Sequence, residues 1–250
     1  MDVLLKDVVV ERMISGATRP VLGPVSLSIC SGEILSIVGA SGSGKTTLLN
    51  MLASVEVCYS GTIDKGAGIE PVSYMLQDTP LLPWRTVREN VCLGAKIMRK
   101  VISPEKIDQI IFEVGLSKYC EAFPDALSGG MQRRAYLAQN LLCTPSLLLL
   151  DEPFTGLDYQ TKKAMRALLK SYLCQTATVV MATHDIEDAI LLSHRIVVLK
   201  GDPTAVHSEI DVKGIAEKDS NYLAKEREIF YIFEGSSNAE SLQADQRAAK

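Results

Sequence analysis

The stretch Gly39-Ala40-Ser41-Gly42-Ser43-Gly44-Lys45-Thr46-Thr47 constrains this chain more than any other. It fits the pattern G-x-x-x-x-G-K-[ST] and sits between the apolar run Ile34 to Val38 and the helix-patterned run Thr47 to Ala53. Strand, tight loop and helix in that order are what a phosphate-cradling loop requires. The glycines let the backbone turn sharply and bring successive N–H groups to one anion, while the following helix aims its unpaired N–H groups and positive dipole end at the same point. Lys45 then reaches the β- and γ-phosphates of a nucleotide, and Thr46 carries the hydroxyl that such loops use to ligate magnesium. A Gly/Ser turn that merely happened to carry a lysine would lack both flanks.

The 250 residues suit one large domain, or one domain with a sizeable insertion. A hydrophobic share of 47% with 22% charged residues is that of a soluble globular protein, and no apolar run approaches the length of a membrane helix. Met1-Asp2 opens directly into a strand-like segment, so a cytosolic protein is expected. The net charge of −4 and the lack of a dense Lys/Arg stripe argue against nucleic acid as a partner. Six cysteines (Cys30, Cys58, Cys92, Cys120, Cys143, Cys174) are spread singly, without a CxxC pair, and are expected to be reduced and mostly buried.

In chain order, Asp2 to Glu11, Val25 to Cys30 and Ile34 to Val38 read as strands, with Ser15 to Pro20 as a loop between the first two. Short strands follow at Ser60 to Ile63 and Pro71 to Leu76. Gln77 ends the second and leads into an irregular segment with two prolines, Pro80 and Pro83, beside the chain's one tryptophan, Trp84. Val87 to Arg99 is helical by pattern, and Ser103-Pro104 starts another helix that Gly115 stops. Leu127-Ser128-Gly129-Gly130-Met131-Gln132 again runs from loop into helix. Leu147 to Leu150 is a buried strand ending in Asp151-Glu152-Pro153, and Thr176 to Thr183 is another, ended by His184. Helices at Thr161 to Cys174 and Ile186 to Ser193 and a strand at Arg195 to Lys200 complete an open α/β pattern, with the candidate residues at the C-terminal ends of its strands. His194 and His207 lack such a context and read as surface or packing residues. Gly235 to Lys250 is polar and Ala/Gln/Ser-rich, the composition of a frayed tail.

Lys45, Gln77, Leu127 to Gln132, Asp151-Glu152 and His184 follow one another in an order that resembles the ATPase subunit of an ABC transporter. The resemblance covers roughly residues 1 to 205. LSGGMQ looks like the family signature, Gln77 like the Q-loop glutamine, LLLLDEP like the Walker B strand, Gly156-Leu157-Asp158 like the D-loop and His184 like the switch histidine. The segment LLPWRTVREN is most similar to the importer branch that handles nitrate, sulfonates and taurine. The implied fold is a P-loop ABC cassette: β subdomain and phosphate-loop part of a RecA-like core over 1–87, helical subdomain over 88–140, the rest of the core over 141–205, and a C-terminal extension over 206–250.

The resemblance also implies the roles. ATP and Mg²⁺ are the expected ligands: Gly39, Ala40, Ser41, Gly42, Ser43, Gly44, Lys45, Thr46 and Thr47 cradle the phosphates, and Thr46, Gln77 and, through water, Asp151 hold the metal. Glu152 polarises the attacking water and His184 contacts the γ-phosphate. Ser128, Gly129, Gly130 and Gln132 form a second anion site that one chain cannot easily fold onto its own triphosphate. Two copies head to tail can, each ATP lying between the loop of one and the signature of the other. The other implied partners are permease subunits and, through them, an extracytoplasmic solute-binding protein, at the cytoplasmic face of the inner membrane. Trp84 and Arg85 are expected at the permease contact.

Three positions depart from the family pattern. No aromatic residue precedes Tyr59, so Met13 or Ile14 is expected to pack on the base in place of an aromatic; Gln139 stands where an arginine is usual; Gly156 replaces a commoner alanine in the D-loop. These bear on base selectivity and nucleotide affinity more than on hydrolysis. An exporter ATPase, a soluble ABC ATPase of DNA repair or translation, and a binding-only regulatory cassette are the rival readings.

Overall fold

The computed structural model describes residues 3–14, 16–55, 59–66, 71–78, 81–173, 177–216 and 219–234. The first half comprises β1 (Val3–Ile14), β2 (Ala17–Ile29), β3 (Ile34–Gly39), α1 (Lys45–Leu52), β4 (Tyr59–Asp64), β5 (Val72–Met75), α2 (Val87–Val91), α3 (Leu93–Ile97) and α4 (Pro104–Glu113). The second half comprises α5 (Gly129–Leu142), β6 (Leu147–Asp151), α6 (Tyr159–Leu173), β7 (Thr178–Thr183), α7 (Ile186–Leu192), β8 (Arg195–Lys200), β9 (Ala205–Asp211) and α8 (Ser220–Glu234).

Among the described residues, β2-β1-β4 form an antiparallel sheet, and β5-β6-β7-β3-β8-β9 form a second sheet that is parallel except for its last strand. The apolar runs explain the parallel part. Successive side chains of a strand point to opposite faces, so a strand covered on both sides must be apolar throughout. Leu148 and Leu150 of β6 accordingly join a cluster with the helices α2, α4 and α5, whereas Leu147 and Leu149 join a different cluster with α1 and the antiparallel sheet. Val179 and Met181 of β7 face the first cluster and Val180 and Ala182 the second. Each such leucine contributes about 2–3 kcal/mol by leaving water.

This arrangement puts four adjacent strands, β5, β6, β7 and β3, with their C-terminal ends on one edge. Asp151 pairs with Ala182, which pairs in turn with Ile37, so the ends of β6, β7 and β3 are level. The helical block hangs over β5 through α5: Ser73 Oγ donates to Asn140 Oδ1 at 2.8 Å, and Tyr136 Oη lies 3.3 Å from the Tyr74 carbonyl.

Several expectations change. The loop expected from Ser15 to Pro20 is largely strand: Ile14 pairs with Ala17 and Arg12 with Arg19, closing a hairpin at Gly16, whose φ is +83°. Gly16 marks that turn, and Pro20 is tolerated because β2 is an edge strand. The helix expected over Val87 to Arg99 is divided by a turn at Cys92. The resemblance ends near residue 205, yet β9 extends the core sheet by pairing with β8, and α8 packs Ile229 into a cluster with Ile190 and Val198. Cys92 and Cys143 are buried as expected, but Cys30 is exposed and Cys120 only half-buried. His207 is exposed, while His194 Nδ1 accepts from the Ile34 N–H at 2.9 Å. Cys58, Cys174, Thr79, Pro80 and the tail from Gly235 to Lys250 lie outside the described residues.

Candidate functional site

The phosphate loop leaves β3 at Gly39 and enters α1 at Gly44. Both glycines are required. A Cβ on Gly39 would lie 2.3 Å from Ser43 Oγ, and Gly44 caps the helix at a φ of +78°, in the left-handed region. Lys45 folds back over the loop, its Nζ donating to the carbonyls of Gly39 at 2.8 Å and Ala40 at 3.1 Å. Burial lowers its pKa, against the attraction of Glu152 and Asp151. Backbone oxygens thus hold the ammonium where an anionic oxygen would be a stronger partner.

Asp151 ends β6 at 1% exposure and accepts from Thr46 Oγ1 at 2.7 Å. Burial raises the pKa of its carboxyl, and the Thr46 hydrogen bond acts against that shift. Glu152, one residue on, has φ +51°, a conformation that is costly for a side chain with a Cβ. Its N–H donates to the Ala182 carbonyl at 2.9 Å, which keeps the chain tied to β7 through the turn. Both carboxylate oxygens are engaged. Oε1 accepts from the His184 N–H at 3.1 Å and lies 2.8 Å from His184 Nδ1, and Oε2 accepts from Thr155 Oγ1 at 3.2 Å.

Ser41, Gly42, Lys45, Thr46, Gln77, Asp151, Glu152, Thr155 and His184 line a single cleft of about 330 Å³. The structure therefore brings together the loop, the glutamine, the two carboxylates and the histidine, from four strand ends. Ser128, Gly129, Gly130 and Gln132 are not among its walls. Ser128 caps α5, accepting from the Met131 N–H at 3.3 Å, and is exposed together with Gly129. A Cβ on Gly130 would lie 3.3 Å from Leu157 Cδ2, so the signature abuts the D-loop of the same chain. Gln132 Nε2 donates to the carbonyls of Pro124 at 2.9 Å and Leu127 at 3.4 Å, and so closes its own loop.

Three residues enter that the sequence reading passed over. Thr155 lies three residues after Glu152, a spacing visible in the sequence. Arg133, 7% exposed, donates from Nη1 to the Gln77 carbonyl at 2.5 Å and from Nη2 to the Glu152 carbonyl at 2.5 Å. One guanidinium on α5 thereby clamps the main chain of two walls of the cleft, and burial lowers its pKa. An arginine at i, with Leu137 and Leu141 at i+4 and i+8, on the apolar face of a helix was the available signal. The third is Arg12. Met13, expected against the base, is 73% exposed, and the hollow beside the phosphate loop is lined by Arg12 and Val21 instead. Successive strand residues point to opposite faces, so Arg12 and Met13 cannot both turn to the loop. The Ile14 side chain lies outside the described residues.

Residues 22–155, more than half of the chain, match the family model described as "ABC transporter". The chain belongs to the ABC transporter family. Among its relatives is the "Aliphatic sulfonates import ATP-binding protein SsuB 1" of Pseudomonas savastanoi pv. phaseolicola, 37% identical over 81% of this chain and 84% of that protein. Another is the "Nitrate import ATP-binding protein NrtD" of Synechocystis sp., 37% identical over 84% of this chain and 83% of that protein. The ATP-binding cassette MJ0796, solved as a dimer in a post-hydrolysis state with ADP and Pi, superposes with a TM-score of 0.75 at 30% identity, covering 85% of this chain and all of that one.

The fold is that of an ABC ATPase cassette, and its cleft has the donor chemistry for a hard divalent cation. Thr46 hydroxyl, Gln77 amide and Asp151 carboxylate supply oxygen without sulfur or imidazole, the set that suits Mg²⁺. A cation there would also favour the ionised form of Asp151, which burial disfavours.

Proposed function

We propose that this chain is the ATP-hydrolysing subunit of an ABC importer and energises uptake of a small anionic solute such as a sulfonate or nitrate. It works as a head-to-tail homodimer on separate permease subunits at the cytoplasmic face of the inner membrane, with solute delivered by an extracytoplasmic binding protein. The observation that carries this reading is the convergence of Lys45, Asp151, Glu152 and His184 on one cleft. The sulfonate and nitrate relatives support the importer branch. No helix among the described residues is long and apolar enough to cross a membrane, which fits a separate solute path.

Lys45 exchanges the Gly39 and Ala40 carbonyls for β- and γ-phosphate oxygens. Thr46, Gln77 and, through water, Asp151 would hold Mg²⁺, which would supply charge neutralisation at those oxygens. Glu152 orients and polarises the attacking water once an oxygen is released from His184 or Thr155. Arg133 fixes the backbone on which Gln77 and Glu152 are mounted, so both arrive in register. Ser128, Gly129 and Gly130 present the exposed N-terminus of the 14-residue helix α5 to the nucleotide of a second copy.

The permease contact is assigned to Trp84 and Arg85. The segment around them is held firmly. Asn90, fully buried, accepts from the Leu82 N–H at 2.8 Å and donates to the carbonyls of Leu82, Arg85 and Thr86, while Thr86 and Glu89 form a capping box on α2. On this rigid platform Trp84 is 69% exposed, the setting of an interface anchor.

Phosphate release by the purified chain with Mg-ATP tests the enzyme. Glu152→Gln should lower turnover by at least about a hundredfold and trap a nucleotide-bound dimer in size-exclusion chromatography. Near-normal turnover in that variant would remove Glu152 from the mechanism.

A further inference from the structure

A second hollow of about 290 Å³ opens beside the phosphate loop, lined by Arg12 of β1, Val21 of β2 and the loop residues Gly42 to Thr47. It shares Gly42, Lys45 and Thr46 with the catalytic cleft, so a triphosphate whose γ end lies in the cleft leads its ribose and base into this hollow. No aromatic, carboxylate or amide side chain is among the lining residues. Reading adenine by its edge requires a donor for N7 and an acceptor for the N6 amino group. Arg12 carries donors and no acceptor, and its flat guanidinium stacks on any base. Arg19, its register partner across the hairpin, adds a second positive charge beside it.

We propose that Arg12 holds the nucleobase through its guanidinium plane, and that this chain therefore takes GTP about as readily as ATP. The proposal rests on the reading of the phosphate loop as a triphosphate site and adds to it the residue that sets base selectivity. Discrimination comes from the side chains of the hollow that lie outside the phosphate loop, where Arg12 offers donors alone and Val21 neither donor nor acceptor. Val21 supplies the apolar wall on which the ribose and base rest.

Isothermal titration of the purified chain with AMP-PNP, GMP-PNP and tripolyphosphate, each with Mg²⁺, tests this. The expected dissociation constants for AMP-PNP and GMP-PNP lie within about threefold of each other. Arg12→Ala weakens both by about three- to tenfold and leaves tripolyphosphate within about twofold. Arg12→Lys, which keeps the charge and loses the plane, behaves like Arg12→Ala, and Arg12→Tyr restores nucleotide affinity on a strand position that suits an aromatic. A preference for adenine above about tenfold overturns the proposal, as does unchanged nucleotide affinity in Arg12→Ala or an equal loss for tripolyphosphate. If none of the three ligands binds the wild-type chain, the phosphate-loop reading itself fails.

Discussion

Glu152 Oε1 lies 2.8 Å from His184 Nδ1, and the same oxygen accepts the His184 backbone N–H at 3.1 Å. The proposed catalytic carboxylate and the proposed phosphate contact are therefore linked before any nucleotide arrives. A carboxylate only accepts, so Nδ1 carries the proton of this contact, and the tautomer it selects leaves Nε2 as an acceptor. To donate to a phosphate oxygen from Nδ1 the ring must release Glu152.

That tautomer is checked by ¹⁵N NMR of His184 in the nucleotide-free chain. The expected spectrum shows a protonated Nδ1, and loading the Glu152→Gln variant with Mg-ATP shifts the ring to a form with Nε2 protonated. A bare Nδ1 in the nucleotide-free chain would contradict the contact.

Arg133 gives a second expectation. Replacing it by methionine preserves bulk on the apolar face of α5 but leaves the Gln77 and Glu152 carbonyls without this donor. Hydrogen bonds from a charged group contribute about 1.5–3 kcal/mol each, and the cost of burying the guanidinium offsets part of the two, so Arg133→Met should lower unfolding free energy by about 2–4 kcal/mol in urea titration. Turnover should fall with it, because Glu152 holds its left-handed backbone partly through that bond. A variant as stable as the wild type would show that the clamp carries no weight.

A third concerns pH. Asp188, 2% exposed, lies 3.0 Å from Lys162 Nζ and 3.5 Å from Arg166 Nε. Burial, helped by the charge of Asp185, nonetheless pushes its pKa up to about 6 from the ordinary 3.8. The folded chain then binds a proton more tightly than the unfolded chain between about pH 6 and pH 4, so this group adds stability as pH falls through that window. From pH 7 to pH 5 the wild type should gain about 1 kcal/mol relative to Asp188→Asn in chemical denaturation. A constant difference would place the Asp188 pKa near its ordinary value.

For the permease contact, Trp84→Ala should change stability by less than about 0.5 kcal/mol, since the ring is exposed, and leave the ATPase rate of the isolated chain within about twofold. In a reconstituted complex, Trp84→Ala and Arg85→Ala should each reduce solute-stimulated hydrolysis at least about fivefold. Full stimulation in both would move the contact elsewhere.

The sequence by itself determined the family, the phosphate loop, the strand ends and nearly every residue of the cleft. Those signals are local: a glycine spacing, an apolar run long enough for a strand covered on both faces, a carboxylate pair where the run stops. Asp151, Glu152 and His184 were legible because they stand where the apolar runs of β6 and β7 give way to polar residues. Tertiary structure alone decided what crosses between distant segments. Arg133 meets Gln77 and Glu152 only because α5 packs over β5 and β6, and Arg12 reaches the phosphate loop only because the β1–β2 hairpin folds across it. The hairpin over Ser15 to Pro20 and the strand β9 were missed for a related reason. Turn residues mark a loop and a tight hairpin alike, and an edge strand with polar alternation depends on its neighbour for its hydrogen bonds. Pairing, register and burial are properties of two segments at once, and a pattern read along one of them does not contain the other.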